Sequence, residues 1–176
     1  RQPGMKIATL AMAPVKGGKI ASLDEASCRS VPGVLDIVRD GNDAVAVIGE
    51  HMWAVKQGLE ALTVVWDNGT NAAVTVDSII EAMDVASKHE GVVIRNEKNA
   101  QASIDAATTK LSAIYQSPFL SHSPLEPLNC TLHIRDDGAE LWVGTQVPVR
   151  AQKAVADATG LSPEKVTVYN QPMGGA

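Results

Sequence analysis

Four short groups of residues in this chain have the types and spacing that chemistry requires. The first is His122-Ser123-Pro124-Leu125-Glu126-Pro127. A His and a Glu four apart can form an acid–base or metal pair, but two prolines rule out the helical spacing that would bring them onto one face. On chemistry alone the simpler reading is preferred: a rigid, proline-shaped loop whose polar residues bond backbone groups. The second is Gly144-Thr145-Gln146-Val147-Pro148, at the junction of an expected strand and helix. Gln146 carries both a donor and an acceptor, and strand ends are frequent ligand positions in α/β units. The same residues also suit an ordinary turn with Thr145 or Gln146 near the helix cap. The third is Pro172-Met173-Gly174-Gly175-Ala176, where glycines let a backbone approach an anionic ligand closely. A plain turn explains two glycines equally well, and neither the dinucleotide nor the P-loop fingerprint is present. The fourth is the tryptophan set, Trp53, Trp66 and Trp142, with His51. Trp53 and Trp66 are expected to anchor a small core rather than to stack on a ligand. His51, His89 and His133 are isolated, as expected of surface or satisfied polar residues.

The elements that position these groups follow from periodicity. Strands are expected at Met5–Met12 and Lys19–Leu23, joined by Gly17-Gly18. Asp24 is placed to cap a short helix that ends by Val31, because the residue before Pro32 is pushed from the α region. Val34–Val38 and Ala44–Ile48 flank Asp40-Gly41-Asn42-Asp43 and read as a hairpin. Met52, Val55, Leu59 and Leu62 recur at helical spacing, as do Val76, Ile79, Ile80 and Met83. Thr63–Trp66 is a strand between those helices. A polar, Ala-rich stretch with a short helix near Gln101–Ala107 reads as a linker, placing a domain boundary near residue 95. Beyond it, strands are expected at Lys110–Gln116, Asn129–Ile134, Ala139–Gly144 and Lys165–Asn170, and a helix over Val149–Thr159 with Gly160 past its end.

Composition narrows the function. With 176 residues, 45% of them hydrophobic, the chain can fill one large or two small cores. Aromatic residues make up only 3%, so Ala, Val, Ile and Leu must fill those cores. The net charge of −5 and the lack of a basic stripe argue against a nucleic-acid backbone partner. Cys28 and Cys130 do not have zinc-site spacing; two buried thiols are the preferred reading, with a disulfide between them as the alternative. No apolar run reaches the length of a membrane span.

In order and spacing, these groups resemble one family. Pro3-Gly4-Met5, Trp53, Trp66-Asp67-Asn68-Gly69, Pro118-Phe119 with His122, Leu125-Glu126-Pro127, Trp142 with Gly144-Thr145-Gln146 and Pro148, and Met173-Gly174-Gly175 follow the pattern of the xanthine dehydrogenase and aldehyde oxidase large subunits. The branch that includes the isoquinoline 1-oxidoreductase beta subunit and bacterial membrane-associated aldehyde dehydrogenases is the best match. The resemblance implies an α+β chain. Residues 1–95 would form a small, hammerhead-like α/β domain, and residues 96–176 the opening strands and helix of a molybdopterin-binding domain, truncated at its C-terminus. It implies that Gln146 lies beside the metal of a molybdopterin-type cofactor, and that Gly174 and Gly175 give backbone contacts to that cofactor. The family continues the glycine turn as Gly-Gly-Gly-Phe-Gly, whereas here position 176 is Ala.

The family's catalytic glutamate lies downstream of every residue in this chain. Glu126 does not match its motif, so no catalytic residue and no metal-ligating side chain is assigned here. The implied activity is that of a molybdenum hydroxylase acting on an N-heterocycle or an aldehyde, with water as the oxygen source. The isolated chain is expected to be inactive and to lack the cofactor. An iron–sulfur small subunit is the implied partner, with a cytochrome c subunit raised as a second one. Self-association of a truncated sheet edge is also raised. Compartment stays open between periplasm and cytoplasm for a bacterial-type protein. The competing reading is a noncatalytic scaffold or protein-interaction domain.

Overall fold

The computed structural model describes residues 3–95, 97, 99–121 and 123–175. The chain divides into two compact units, Arg1–Ser112 and Ala113–Ala176, each with its own core.

The first unit opens with β1 (Ile7–Met12) and β2 (Lys19–Asp24), followed by the short helix α1 (Ala26–Arg29). As expected, an Asp24 carboxylate oxygen accepts the Ala26 N–H, at 3.0 Å. The hairpin of β3 (Val34–Asp40) and β4 (Ala44–Gly49) forms as its turn residues require, and the antiparallel order is β1-β4-β3. Although β1 and β2 are neighbours in sequence, they do not pair with each other. β2 instead pairs antiparallel with β5 (Thr63–Asp67) in a separate two-stranded sheet.

Helix α2 (Met52–Ala61) crosses the first sheet, and its N-terminus is capped by His51, whose Nδ1 accepts the Ala54 N–H at 3.1 Å. The core between helix and sheet consists of Val45, Val47, Val55, Ile37, Leu62 and Cys28. Tryptophan has no part in it. Trp53 is 65% exposed and Trp66 only half-buried, so the expectation that they anchor this core is corrected. The reason is spacing. Gly58 on α2 lies so close to the sheet that an added Cβ would sit 2.7 Å from Val34 Cγ2 and 3.0 Å from Val47 Cγ1. A helix seated that close leaves room for valines, not indoles.

Helix α3 (Val76–Ser87) begins with a reciprocal cap in which Thr75 and Ser78 bond each other's backbone N–H groups. Its apolar stripe forms as the spacing implies, yet none of its residues is buried. Helix α4 (Ala100–Ala106) is likewise exposed along its length.

The strand expected at Lys110–Gln116 is absent: the segment pairs with no strand, and Leu111 and Ile114 are more than nine-tenths exposed. β-favouring side chains do not make a strand without a neighbour to take up the backbone bonds.

In the second unit, β6 (Cys130–Arg135) and β7 (Gly138–Val143) form the expected antiparallel hairpin. Helix α5 (Pro148–Thr159) starts on its proline and ends at Gly160, whose φ of 74° is the left-handed conformation that stops a helix. The chain then returns as β8 (Val166–Asn170), parallel to β7, giving the order β6-β7-β8. Ala139, Leu141, Val155, Ala156 and Val166 form the core between α5 and the sheet. Cys28 is buried, but Cys130 is exposed because it opens the edge strand β6, so only one of the two thiols matches its expectation. Both cysteines are free.

The close approach at Gly58 sets a test. Gly58→Val forces overpacking that costs about 1–3 kcal/mol. Gly91→Ala, at a position where an added Cβ meets nothing within 4 Å, leaves stability nearly unchanged. Urea unfolding of the two variants should show a loss for the first only.

Candidate functional site

A parallel pair joined by a helix brings two carboxyl ends together. β7 and β8 are in register from Ala139 opposite Val166 to Val143 opposite Asn170, so both chains leave the sheet on the same side. Two further bonds extend the pairing past the last residues of the strands. The Gln171 N–H donates to the Val143 carbonyl at 2.9 Å, and the Thr145 N–H donates to Asn170 Oδ1 at 3.1 Å. The crevice beyond such strand ends is where open α/β sheets bind ligands.

A concave site of about 240 Å³ lies there, lined by Gly144 from the β7 end, by Met173, Gly174 and Gly175 beyond β8, and by Glu126 of the proline-bracketed loop. Trp142 and Asn129 complete its sides. The crossing of the segments leaves no room for side chains at two of its glycines. A Cβ on Gly174 would lie 2.5 Å from Glu126 Cβ, and one on Gly144 would lie 3.0 Å from Met173 Cγ. Gly175 has a φ of 103°, a conformation that only glycine adopts without strain.

Of the residues singled out from sequence, Glu126, Trp142, Gly144, Met173, Gly174 and Gly175 are brought into this concavity. Gln146 is exposed, on the bend between β7 and α5, two residues beyond Gly144 and outside the lining. The helix entry is organised by Thr145, whose Oγ1 accepts the Val147 N–H at 3.1 Å. His122 lies outside the described residues, so the pairing considered for it with Glu126 finds no description here.

One residue was not singled out from sequence, and another, Glu126, was marked as a loop residue that bonds backbone but without its partner. Asn170 joins the strand ends, and its only signal was a polar side chain at the end of a strand. Glu126 holds the glycine turn: the Gly174 N–H donates to its Oε2 at 2.8 Å. No local pattern reveals a bond spanning 48 positions.

The wall carrying Trp142 is braced from behind. Tyr169 stacks on the indole with ring centroids 5.1 Å apart, a geometry that adds about 1 kcal/mol beyond area burial. The Tyr169 hydroxyl donates to Glu140 Oε1 at 3.3 Å, and Arg135 and His133 meet the other carboxylate oxygen. The Arg135 hydrogen bond is the main cause holding the Glu140 carboxyl below its ordinary value of 4.5, with smaller contributions from Tyr169 and His133.

Comparison with known proteins places this geometry. The molybdopterin cofactor-binding domain family matches residues 83–176, more than half of the chain. The isoquinoline 1-oxidoreductase subunit beta of Brevundimonas diminuta is 28% identical over 98% of this chain and 23% of its own length. The xanthine dehydrogenase molybdenum-binding subunit of Escherichia coli O157:H7 is 23% identical over 98% of this chain and 28% of its own length. The chain thus spans about a quarter of the length of these relatives.

Among solved structures, quinoline 2-oxidoreductase from Pseudomonas putida 86 superposes with a TM-score of 0.72 at 15% identity, over all of this chain and 28% of that one. CO dehydrogenase from Oligotropha carboxidovorans gives 0.71 at 17%, with the same coverage. These two establish the shared fold, a mixed α/β arrangement.

The brace behind Trp142 predicts an acid response. A depressed carboxyl contributes stability above its ordinary pKa and loses it as pH falls through the lower folded value. Wild type should therefore exceed Glu140→Gln in thermal stability at neutral pH, and the gap should close below pH 4.5. Melting curves across that range check it; a gap that persists in acid would mean that the charge is not responsible. With its glycine-lined concavity at paired strand ends and the family match over residues 83–176, the chain belongs to the molybdopterin cofactor-binding domain family.

Proposed function

We propose that this chain is part of the large subunit of a molybdenum hydroxylase that oxidises an N-heterocycle or an aldehyde with oxygen drawn from water. The observation that carries this reading is the glycine-lined concavity at the carboxyl ends of β7 and β8, inside the segment that the family matches. The similarity to an isoquinoline oxidoreductase subunit supports the N-heterocycle side of the choice. Residues 1–95 would be the hammerhead-like domain and residues 96–176 the partial cofactor-binding domain. The family match begins at residue 83, within α3 and close to that boundary.

The residues present fit a pterin-type cofactor in one respect that can be read from geometry. The turn at Gly174-Gly175 has no side chains, and Glu126 fills the space a Cβ would need on one flank. In this reading Gly174 and Gly175 line the path of the cofactor's organic part, and Gln146 reaches the metal end with its amide. When bound, the cofactor supplies the oxidising centre for the substrate carbon. The chain's own part is to orient the cofactor and to wall off water on one side. In this reading the chain supplies one wall of the site and the rest of the subunit the others. Alone, the chain is therefore inactive and cofactor-free. Electrons would leave through an iron–sulfur small subunit, with a cytochrome c subunit as a further acceptor.

Elemental analysis and fluorescence of oxidised pterin on the purified chain should give neither molybdenum nor pterin in stoichiometric amount. In the full-length subunit, Gln146→Ala should lower the cofactor content or the turnover rate by about tenfold or more, as loss of a polar partner of a metal site does. Unchanged content and rate would remove Gln146 from the site.

A further inference from the structure

Glu126 makes a closed clasp with the glycine turn. Its N–H donates to the Gly174 carbonyl at 3.1 Å, while its Oε2 accepts the Gly174 N–H at 2.8 Å. Both backbone polar groups of Gly174 are thus committed to one residue. The other carboxylate oxygen, Oε1, accepts from Asn129 Nδ2 at 3.2 Å, and that same amide donates to the Pro127 carbonyl at 2.9 Å. Asn129 thereby fixes the side-chain orientation of Glu126 from the far end of its loop. Contact is as close as glycine allows, with Glu126 Cβ and Oε2 at 2.5 and 2.7 Å from where a Gly174 Cβ would be.

Two consequences follow. A carboxylate with both oxygens bonded to the protein is held in place as a strut. A glycine whose N–H is already donated has no backbone donor left for an anionic ligand. Gly175, at φ 103°, is the next residue along the same wall. There the nearest atoms to an added Cβ are Leu125 N at 3.6 Å and Pro124 Cα at 3.8 Å, an ordinary contact distance.

We propose that Glu126 is a positioning residue: it anchors Gly174 through two hydrogen bonds and so fixes Gly175 as the backbone position that meets an anionic, pterin-type ligand. The proposal rests on the reading above that this turn contacts the cofactor, and it divides the labour within the turn. Gly174 holds the wall in place and Gly175 faces the ligand. A bond between a charged acceptor and a backbone N–H is stronger than a neutral one, which suits a strut at an exposed loop.

The test uses the cofactor-free full-length subunit, with hydrogen exchange read by mass spectrometry and affinity read by titration with the isolated pterin cofactor. Glu126→Ala should speed exchange in the peptide covering residues 171–175 by roughly tenfold, leave the β7 peptide protected, and weaken pterin binding about tenfold. Glu126→Gln keeps an oxygen that can accept the Gly174 N–H and should restore most of both. Should Glu126→Ala lose β7 protection as well, Glu126→Asp replaces it, because a side chain one methylene shorter draws the acceptor away from Gly174.

Unchanged exchange at 171–175 overturns the clasp. Faster exchange with unchanged pterin affinity, while Gly175→Val weakens binding, overturns the positioning role and leaves the turn's cofactor contact standing. If neither Glu126→Ala nor Gly175→Val alters pterin affinity, the reading of the turn fails and the proposal falls with it.

Discussion

The parallel pairing of β7 with β8 is the constraint on which the second unit depends. Parallel neighbours cannot be joined by a tight turn, so a crossover is obligatory, and here α5 supplies it. The crossover buries Ala139, Leu141, Val155, Ala156 and Val166 in a core of small and medium side chains. It also forces the two chain segments to leave the sheet side by side. Every feature of the concave site follows from that exit: the Asn170 bridge, the narrow contact at Gly144, and the placement of the glycine turn opposite Glu126.

The first unit solves a different problem with similar means. Scarce aromatics leave valine as its main filler, and valine fills a core only if the layers approach closely. Gly58 permits that approach, and Val45, Val47 and Val55 are fully buried as a result. The tryptophans are left on the periphery. Trp142 in the other unit is half-buried, stacked against Tyr169 in a network that runs to Arg135, so its orientation is set by polar neighbours and not by a closed core.

Much of the fold could be read from the sequence wherever one element declares itself locally. The β3–β4 and β6–β7 hairpins, the Asp24 bond at the start of α1, and the Gly160 stop of α5 all rest on residues within a few positions of each other. What escaped was non-local. Lys110–Gln116 has the composition of a strand and no strand to pair with. Trp53 has the size of a core residue and no space to occupy. β1 and β2 adjoin in sequence and separate in space. The site divides in the same way. Gly174 and Gly175 were marked by type and by the resemblance and do line the concavity, whereas the partner that holds Gly174, Glu126, sits 48 positions away. Gln146, marked by the motif it shares with the family, lies on the adjoining bend outside that lining, and its role rests on the resemblance.

The contrast between the two thiols has a practical consequence. Burial pushes the Cys28 thiol upward in pKa and encloses it completely, so it resists alkylation while the protein is folded. Cys130 is exposed, directly follows Asn129, and Asn129 in turn bonds Glu126. A fluorophore or spin label coupled through maleimide would therefore mark a single place without any engineered cysteine, one residue from the network that borders the concavity. Within these 176 residues the loop thus carries its own attachment point for a reporter.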